Sequence, residues 1–335
     1  MNETCTYCFR FSGNQHSQCR VAKNIRSLLE LSSLKQMTAN SVEGHGEFDQ
    51  RLQTVKSAMI NDASYHSDNN SVAKDLEKTV RVLCWIMTSP TNLDKKAIHV
   101  KKTWAKRCNI MVFISSENNA SFPAIGLNVK EGRQHLTSKT MQAFRYVYDH
   151  YKHLADWFMK ADDDTYVILE NLRYFLKDYN KLDPVFFGHH FKTIVKQGYY
   201  SGGAGYVLSL EALTRLVTIG KNPSFCRQDG GAEDAEIGKC MQRLGVKTIN
   251  STDAMGRSRF HCFDPETHLF GVYPKWYYQY DSNGARKGTD SISDYAISFH
   301  YVPPQKMYAL EFYIYHLRPY GIEFGHQHLN VHNSY

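Results

Sequence analysis

The chain has 335 residues, 42% hydrophobic and 22% charged, which allows one sizeable core and is ordinary for a globular protein. Its formal charge of +7 is spread along the chain. That suits an anionic ligand such as a nucleotide diphosphate and excludes the clustered basic patch of a nucleic-acid binder. No apolar run approaches the roughly 18–20 residues of a membrane span, and the N-terminus carries no apolar signal-peptide core.

Residues 1–78 have no sustained periodicity and few large apolar residues apart from Leu28–Leu34. They read as a stem-like, poorly ordered N-terminal region, with Asn61–Ser71 as linker. Cys5 and Cys8 form a C-x-x-C pair, but no second pair at zinc-finger spacing follows. A folded domain is expected over 79–320, followed by a tail at 321–335.

Within that domain Val80–Thr88 reads as an apolar strand, Lys95–Lys106 as a basic helix and Ile110–Ser115 as a second strand. Leu136–Tyr151 sets Met141, Phe144, Tyr148 and Tyr151 at helical spacing. Trp157–Ala161 is a third strand, running straight into Asp162, Asp163 and Asp164. A helix at Leu169–Tyr179, a strand at Val185–Gly188 and a glycine-rich segment at Gly198–Gly205 follow. Two helices are expected near Ser209–Ile219 and Ala232–Leu244, and a strand at Tyr295–Val302. The alternation implies an α/β fold with a mostly parallel sheet, whose ligands sit at the carboxyl ends of strands.

Three adjacent carboxylates repel one another, and a hard divalent cation completed by substrate phosphates relieves that repulsion. An isolated triplet is more often a solvated turn, but here apolar segments flank it on both sides. His300 lies toward the end of the Tyr295–Val302 segment and is either a further ligand or a hydrogen-bonded structural histidine. Asp234 opens a helix after Gly230 and Gly231, as a general base or as a complement to the helix dipole. Gly202, Gly203 and Gly205 leave room for a sugar ring, although a glycine cluster alone is a weak signal. Glu131, Gly132, Arg133 and Lys139 suit a diphosphate and its nucleoside, or form a turn and a helix surface. Trp276 lies in an aromatic cluster suited to stacking on a sugar face, or to packing a corner.

Taken in order, VLCWIMTSP, HVKKTWAKRCN, VKEGR, DWFMKADDDTYVILENLR, VKQGYYSGGAGYVLS, AEDAEIGKCM, SFHYV and YHLRPYG resemble the core 1 β1,3-galactosyltransferases. The resemblance spans about Val80 to Tyr320 and implies a GT-A type fold, a central mostly parallel twisted sheet flanked by helices. It implies UDP-galactose as donor, Mn2+ as cofactor, and N-acetylgalactosamine on Ser or Thr of a glycoprotein as acceptor, with inversion at the anomeric carbon. By the same resemblance Asp162, Asp164 and His300 hold the metal and Asp234 is the base. Met87, Glu131, Gly132, Arg133, Lys139, Asp162, His300 and Tyr301 match the donor region, and Trp276 and Gly203 the acceptor side. Disulfides Cys84–Cys108 and Cys226–Cys240 are expected, whereas Asp290–Ser293 stands where the family carries adjacent cysteines. The family's Golgi lumenal setting, as type II membrane proteins, is the expected location, with a homodimer left open. A non-catalytic relative acting as chaperone or glycan-binding protein, or a β1,3-transferase with other substrates, remains the alternative.

Overall fold

A computed structural model describes residues 68–322. Cys5, Cys8, Cys19 and Leu28–Leu34 lie outside the described residues, as does most of the 321–335 tail. Among the described residues the first helix, α1 (Ser71–Thr79), lies almost wholly inside the segment expected to lack regular structure, so regular structure is present before Thr79.

The elements then run β1 (Val82–Met87), α2 (Ile98–Lys102), β2 (Ile110–Ser115), β3 (Ala124–Gly126), α3 (Leu136–Tyr151), β4 (Trp157–Asp162) and β5 (Tyr166–Val167). Next come α4 (Leu169–Leu176), β6 (Val185–Gly188), β7 (His190–Phe191), β8 (Tyr199–Tyr200), β9 (Tyr206–Ser209), α5 (Leu210–Thr218) and α6 (Glu233–Arg243). The series closes with β10 (Lys247–Thr248), β11 (Phe260–His261), α7 (Pro265–Phe270), α8 (Tyr277–Tyr280), β12 (Ser298–Phe299) and α9 (Pro304–Tyr315).

Seven strands form the main sheet in the order β10-β6-β9-β4-β1-β2-β3. Only β9 is reversed, since it pairs antiparallel with both β4 and β6 while the other pairings are parallel. Both faces are covered, which is why β1 reads as an unbroken apolar run rather than an alternating one. Val82, Cys84 and Ile86 pack on one side with Trp157, Met159 and Ala161. Leu83, Trp85 and Met87 pack on the other with Phe158, under Phe144 of α3, Leu213 of α5 and Met241 of α6. A second sheet, β11-β12-β5, abuts the end of the triplet strand.

Three sequence expectations needed adjustment. The Lys95–Lys106 helix is broken into a π turn (Leu93–Ala97), α2 and a 3-10 turn (Trp104–Arg107). The break falls at Thr103, whose hydroxyl donates to the His99 carbonyl, and beyond it the Trp104 indole turns inward to donate to the Thr165 carbonyl. The helix after the triplet ends at Leu176, and Tyr179 packs on Phe175 and Phe187 instead. The strand expected over Tyr295–Val302 contracts to Ser298–Phe299, because Tyr301 adopts φ +55° and cannot continue a ladder. Both expected disulfides, Cys84–Cys108 and Cys226–Cys240, are formed.

At the amino ends of β1 and β4, Arg81 donates to Asp156 at 2.9 and 2.7 Å, and Lys181 reaches the same carboxylate at 2.5 Å. Burial opposes ionisation of Asp156, but these partners overcome it and hold its pKa below the ordinary carboxylate range. A depressed folded pKa stabilises above the unfolded value and loses that contribution as pH falls through the folded one. Wild type is therefore expected to be more stable than Asp156→Asn at neutral pH, by about 2 kcal/mol. The gap should narrow steadily as pH drops below about 4, as read by urea denaturation at a series of pH values.

Candidate active site

The strand order reverses between β1 and β4, which places a crevice at their carboxyl ends. There Met87 pairs directly with Asp162. A cleft of about 380 Å³ opens at this point. Met87, Arg133, Lys160 and Asp162 line it together with Ser201, Gly202, Gly203, Glu233 and Asp234, and Phe191, Phe263, Trp276, His300 and Tyr301 complete the wall.

The three aspartates are not equivalent. Asp163 turns inward, accepting from Thr88 Oγ1 at 2.8 Å and Asn92 Nδ2 at 3.0 Å. Burial raises its pKa to about 6 against those donors and the charge of Lys96. Asp162 lines the cleft, Asp164 lies against His300, and each gives one oxygen to a lysine. Lys160 Nζ lies 2.6 Å from Asp162 Oδ1, and Lys96 Nζ lies 2.9 Å from Asp164 Oδ2. The remaining oxygens approach His300 Nε2, at 3.9 Å for Asp162 Oδ2 and 3.2 Å for Asp164 Oδ1. Although burial favours the neutral form of Asp164, His300 and Lys96 keep its pKa well below the usual range.

His300 Nδ1 lies 3.3 Å from the Cys262 carbonyl, a contact that turns Nε2 toward Asp162 and Asp164. The Val302 amide donates to the Asp164 carbonyl at 2.9 Å, tying the segment that carries His300 to the triplet loop. One ligand atom from each of Asp162, Asp164 and His300 falls within 4.8 Å of the others. Two carboxylate oxygens and an imidazole nitrogen, each with its second atom already bonded elsewhere, fit a divalent first-row cation.

Gly203 sits directly under His300, where an added Cβ would stand 2.0 Å from Cε1 and 2.4 Å from Nε2. Its missing side chain serves the histidine at least as directly as a sugar ring. Asp234 is at the second position of α6, accepting from the Ala235 amide at 2.8 Å and the Gly202 amide at 3.4 Å. Burial pushes its pKa up, partly offset by those amides and by Lys160. Trp276 is 44% exposed and packs its ring against Phe191 and Phe263, leaving surface toward the cleft.

The donor-side residues divide. Met87, Arg133 and Tyr301 reach the cleft. Glu131, Gly132 and Lys139 do not line it; Lys139 Nζ is buried between Glu131 Oε1 at 2.7 Å and the Thr88 carbonyl at 2.8 Å. That bond straps the Glu131–Arg133 loop to the end of β1. Sequence reasoning missed Lys96, Lys160, Glu233 and Phe263. Lys160 had a usable signal, since it stands two residues before Asp162 in a strand and so shares its face. Lys96 had none, lying 68 residues from its partner.

Residues 81–262 match the Fringe-like family. The chain is 49% identical over 264 residues to Xenopus laevis glycoprotein-N-acetylgalactosamine 3-beta-galactosyltransferase 1, covering 78% of this chain and 73% of that relative. It is 30% identical over 155 residues to Mus musculus beta-1,3-glucosyltransferase, covering 45% of this chain and 31% of the relative. It is also 30% identical over 181 residues to Homo sapiens chondroitin sulfate synthase 3, covering 48% and 20%.

The crowding at Gly203 makes a direct test. Gly203→Ala should stay folded by circular dichroism yet bind Mn2+ in the presence of UDP at least about tenfold more weakly by calorimetry, because its methyl displaces His300.

Proposed function

Because the chain belongs to the core 1 β1,3-galactosyltransferase family, we propose that it transfers galactose from UDP-galactose to the 3-hydroxyl of N-acetylgalactosamine O-linked to Ser or Thr of glycoproteins. The observation that carries this reading is the pairing across one cleft of a cation-ready cluster, Asp162, Asp164 and His300, with a separate carboxylate, Asp234. That division of labour is what an inverting displacement needs.

When bound at the cluster, Mn2+ would neutralise charge on the diphosphate of the departing UDP. Asp162 Oδ2, Asp164 Oδ1 and His300 Nε2 are the atoms that would hold it. Asp234 takes the proton from the acceptor hydroxyl as its oxygen bonds to the anomeric carbon and the bond to the diphosphate breaks. Burial raises its pKa, which makes it a stronger base than a solvated aspartate. Arg133 stands at the cleft, suited to the diphosphate, and Trp276 offers a flat face to the acceptor sugar.

Two bridged cysteine pairs support a lumenal, oxidising compartment such as the Golgi. Among the described residues no helix is long and apolar enough to cross a membrane.

The test is turnover of UDP-galactose with Mn2+ and an N-acetylgalactosamine-α-Ser/Thr peptide, read by mass spectrometry of the product. Chelator is expected to abolish transfer, and Asp234→Asn to lower kcat by about 10²- to 10⁴-fold in a folded protein. Transfer that survives both changes would refute the assignment.

A further inference from the structure

Lys160 is a lysine inside β4, only 2% exposed, in a strand whose neighbours Phe158, Met159 and Ala161 are fully buried. An ammonium in such a place requires close partners, since burying an unpaired charge is strongly unfavourable. Its Nζ has two in direct contact, Asp162 Oδ1 at 2.6 Å and the Gly202 carbonyl at 2.9 Å. The Gly202 amide in turn donates to Asp234 Oδ2 at 3.4 Å. A Cβ built on Gly202 would lie 3.5 Å from Lys160 Nζ, 2.7 Å from Glu233 Oε2 and 3.5 Å from Asp234 Cβ, so all three side chains crowd one glycine. Glu233 is itself fixed, accepting from Thr140 of α3 and Tyr206 of β9 at 2.8 Å each. One buried cation therefore faces the metal-side aspartate on one hand and the carboxylates at the start of α6 on the other.

We propose that Lys160 is a positioning residue that joins the two halves of the site. It occupies Asp162 Oδ1, so that only Oδ2 is turned toward His300. It also holds the Gly202 carbonyl, and through that peptide segment the amide that orients Asp234. The inference rests on the catalytic reading of Asp162 and Asp234 given above. A lysine with a purely structural role would affect folding but would not link metal affinity to turnover.

Lys160→Met, Lys160→Gln and Lys160→Arg, checked for folding by circular dichroism and thermal melting, separate these cases. Mn2+ binding in the presence of UDP is followed by the loss of the free-ion electron paramagnetic resonance signal, and kcat is measured with Mn2+ and donor saturating. Lys160→Met is expected to weaken Mn2+ binding about tenfold and to lower kcat about a hundredfold, with acceptor KM within about twofold of wild type. Lys160→Arg, which keeps charge and donors, should recover most of the metal affinity. If Lys160→Met does not fold, Lys160→Gln carries the same comparison. A folded Met or Gln variant with wild-type Mn2+ affinity and kcat would overturn the proposal, as would an Arg variant as defective in metal binding as Met. Wild-type protein that binds Mn2+ and UDP but transfers no galactose would instead defeat the functional reading, leaving the metal titration to decide the role of Lys160.

Discussion

Consecutive carboxylates at the end of a buried strand are the constraint to which the rest of this structure answers. Two such charges about 5 Å apart repel by about 3 kcal/mol at an effective dielectric constant near 20. The fold separates the three instead of exposing them. Asp163 is withdrawn onto Thr88 and Asn92, while Asp162 and Asp164 are each given a lysine on one oxygen. What remains is one oxygen of each turned toward the His300 imidazole nitrogen, an arrangement that suits a divalent cation.

The sheet topology explains how residues so distant in sequence reach this point. The reversal of strand order beside β1 opens the crevice, and the pairing of β12 with β5 brings His300 back over the triplet loop. Gly203 allows the histidine to descend, and the positive φ of Tyr301 turns the chain away immediately afterwards. On the far wall, α6 begins at Glu233, so its amino-terminal dipole and the Gly202 amide both bear on Asp234. The metal-ready cluster and Asp234 thus rest on separate elements, with Lys160 and Gly202 between them.

Much of this was legible in the sequence because local patterns coincide with tertiary ones. The apolar runs of β1 and β2, the helical spacing of α3 and the strand feeding the aspartates all reflect burial on two faces of one sheet. Legibility fails where long-range packing overrides local preference. The basic stretch after β1 has the composition of one helix, yet Trp104 must turn inward to reach Thr165, and the helix breaks. Glu131 and Lys139 read from sequence either as donor contacts or as a turn and a helix surface, and the bond between them that braces a loop could not be read from either. Lys96 reaches Asp164 only through folding, and no spacing rule points to it.

Anomalous diffraction at the manganese edge, from crystals grown with UDP and Mn2+, tests the central claim most directly. The account predicts one strong peak bonded to Asp162, Asp164 and His300, with Asp163 still turned inward to Thr88. A peak elsewhere, or none beside these residues while UDP is bound, would contradict it.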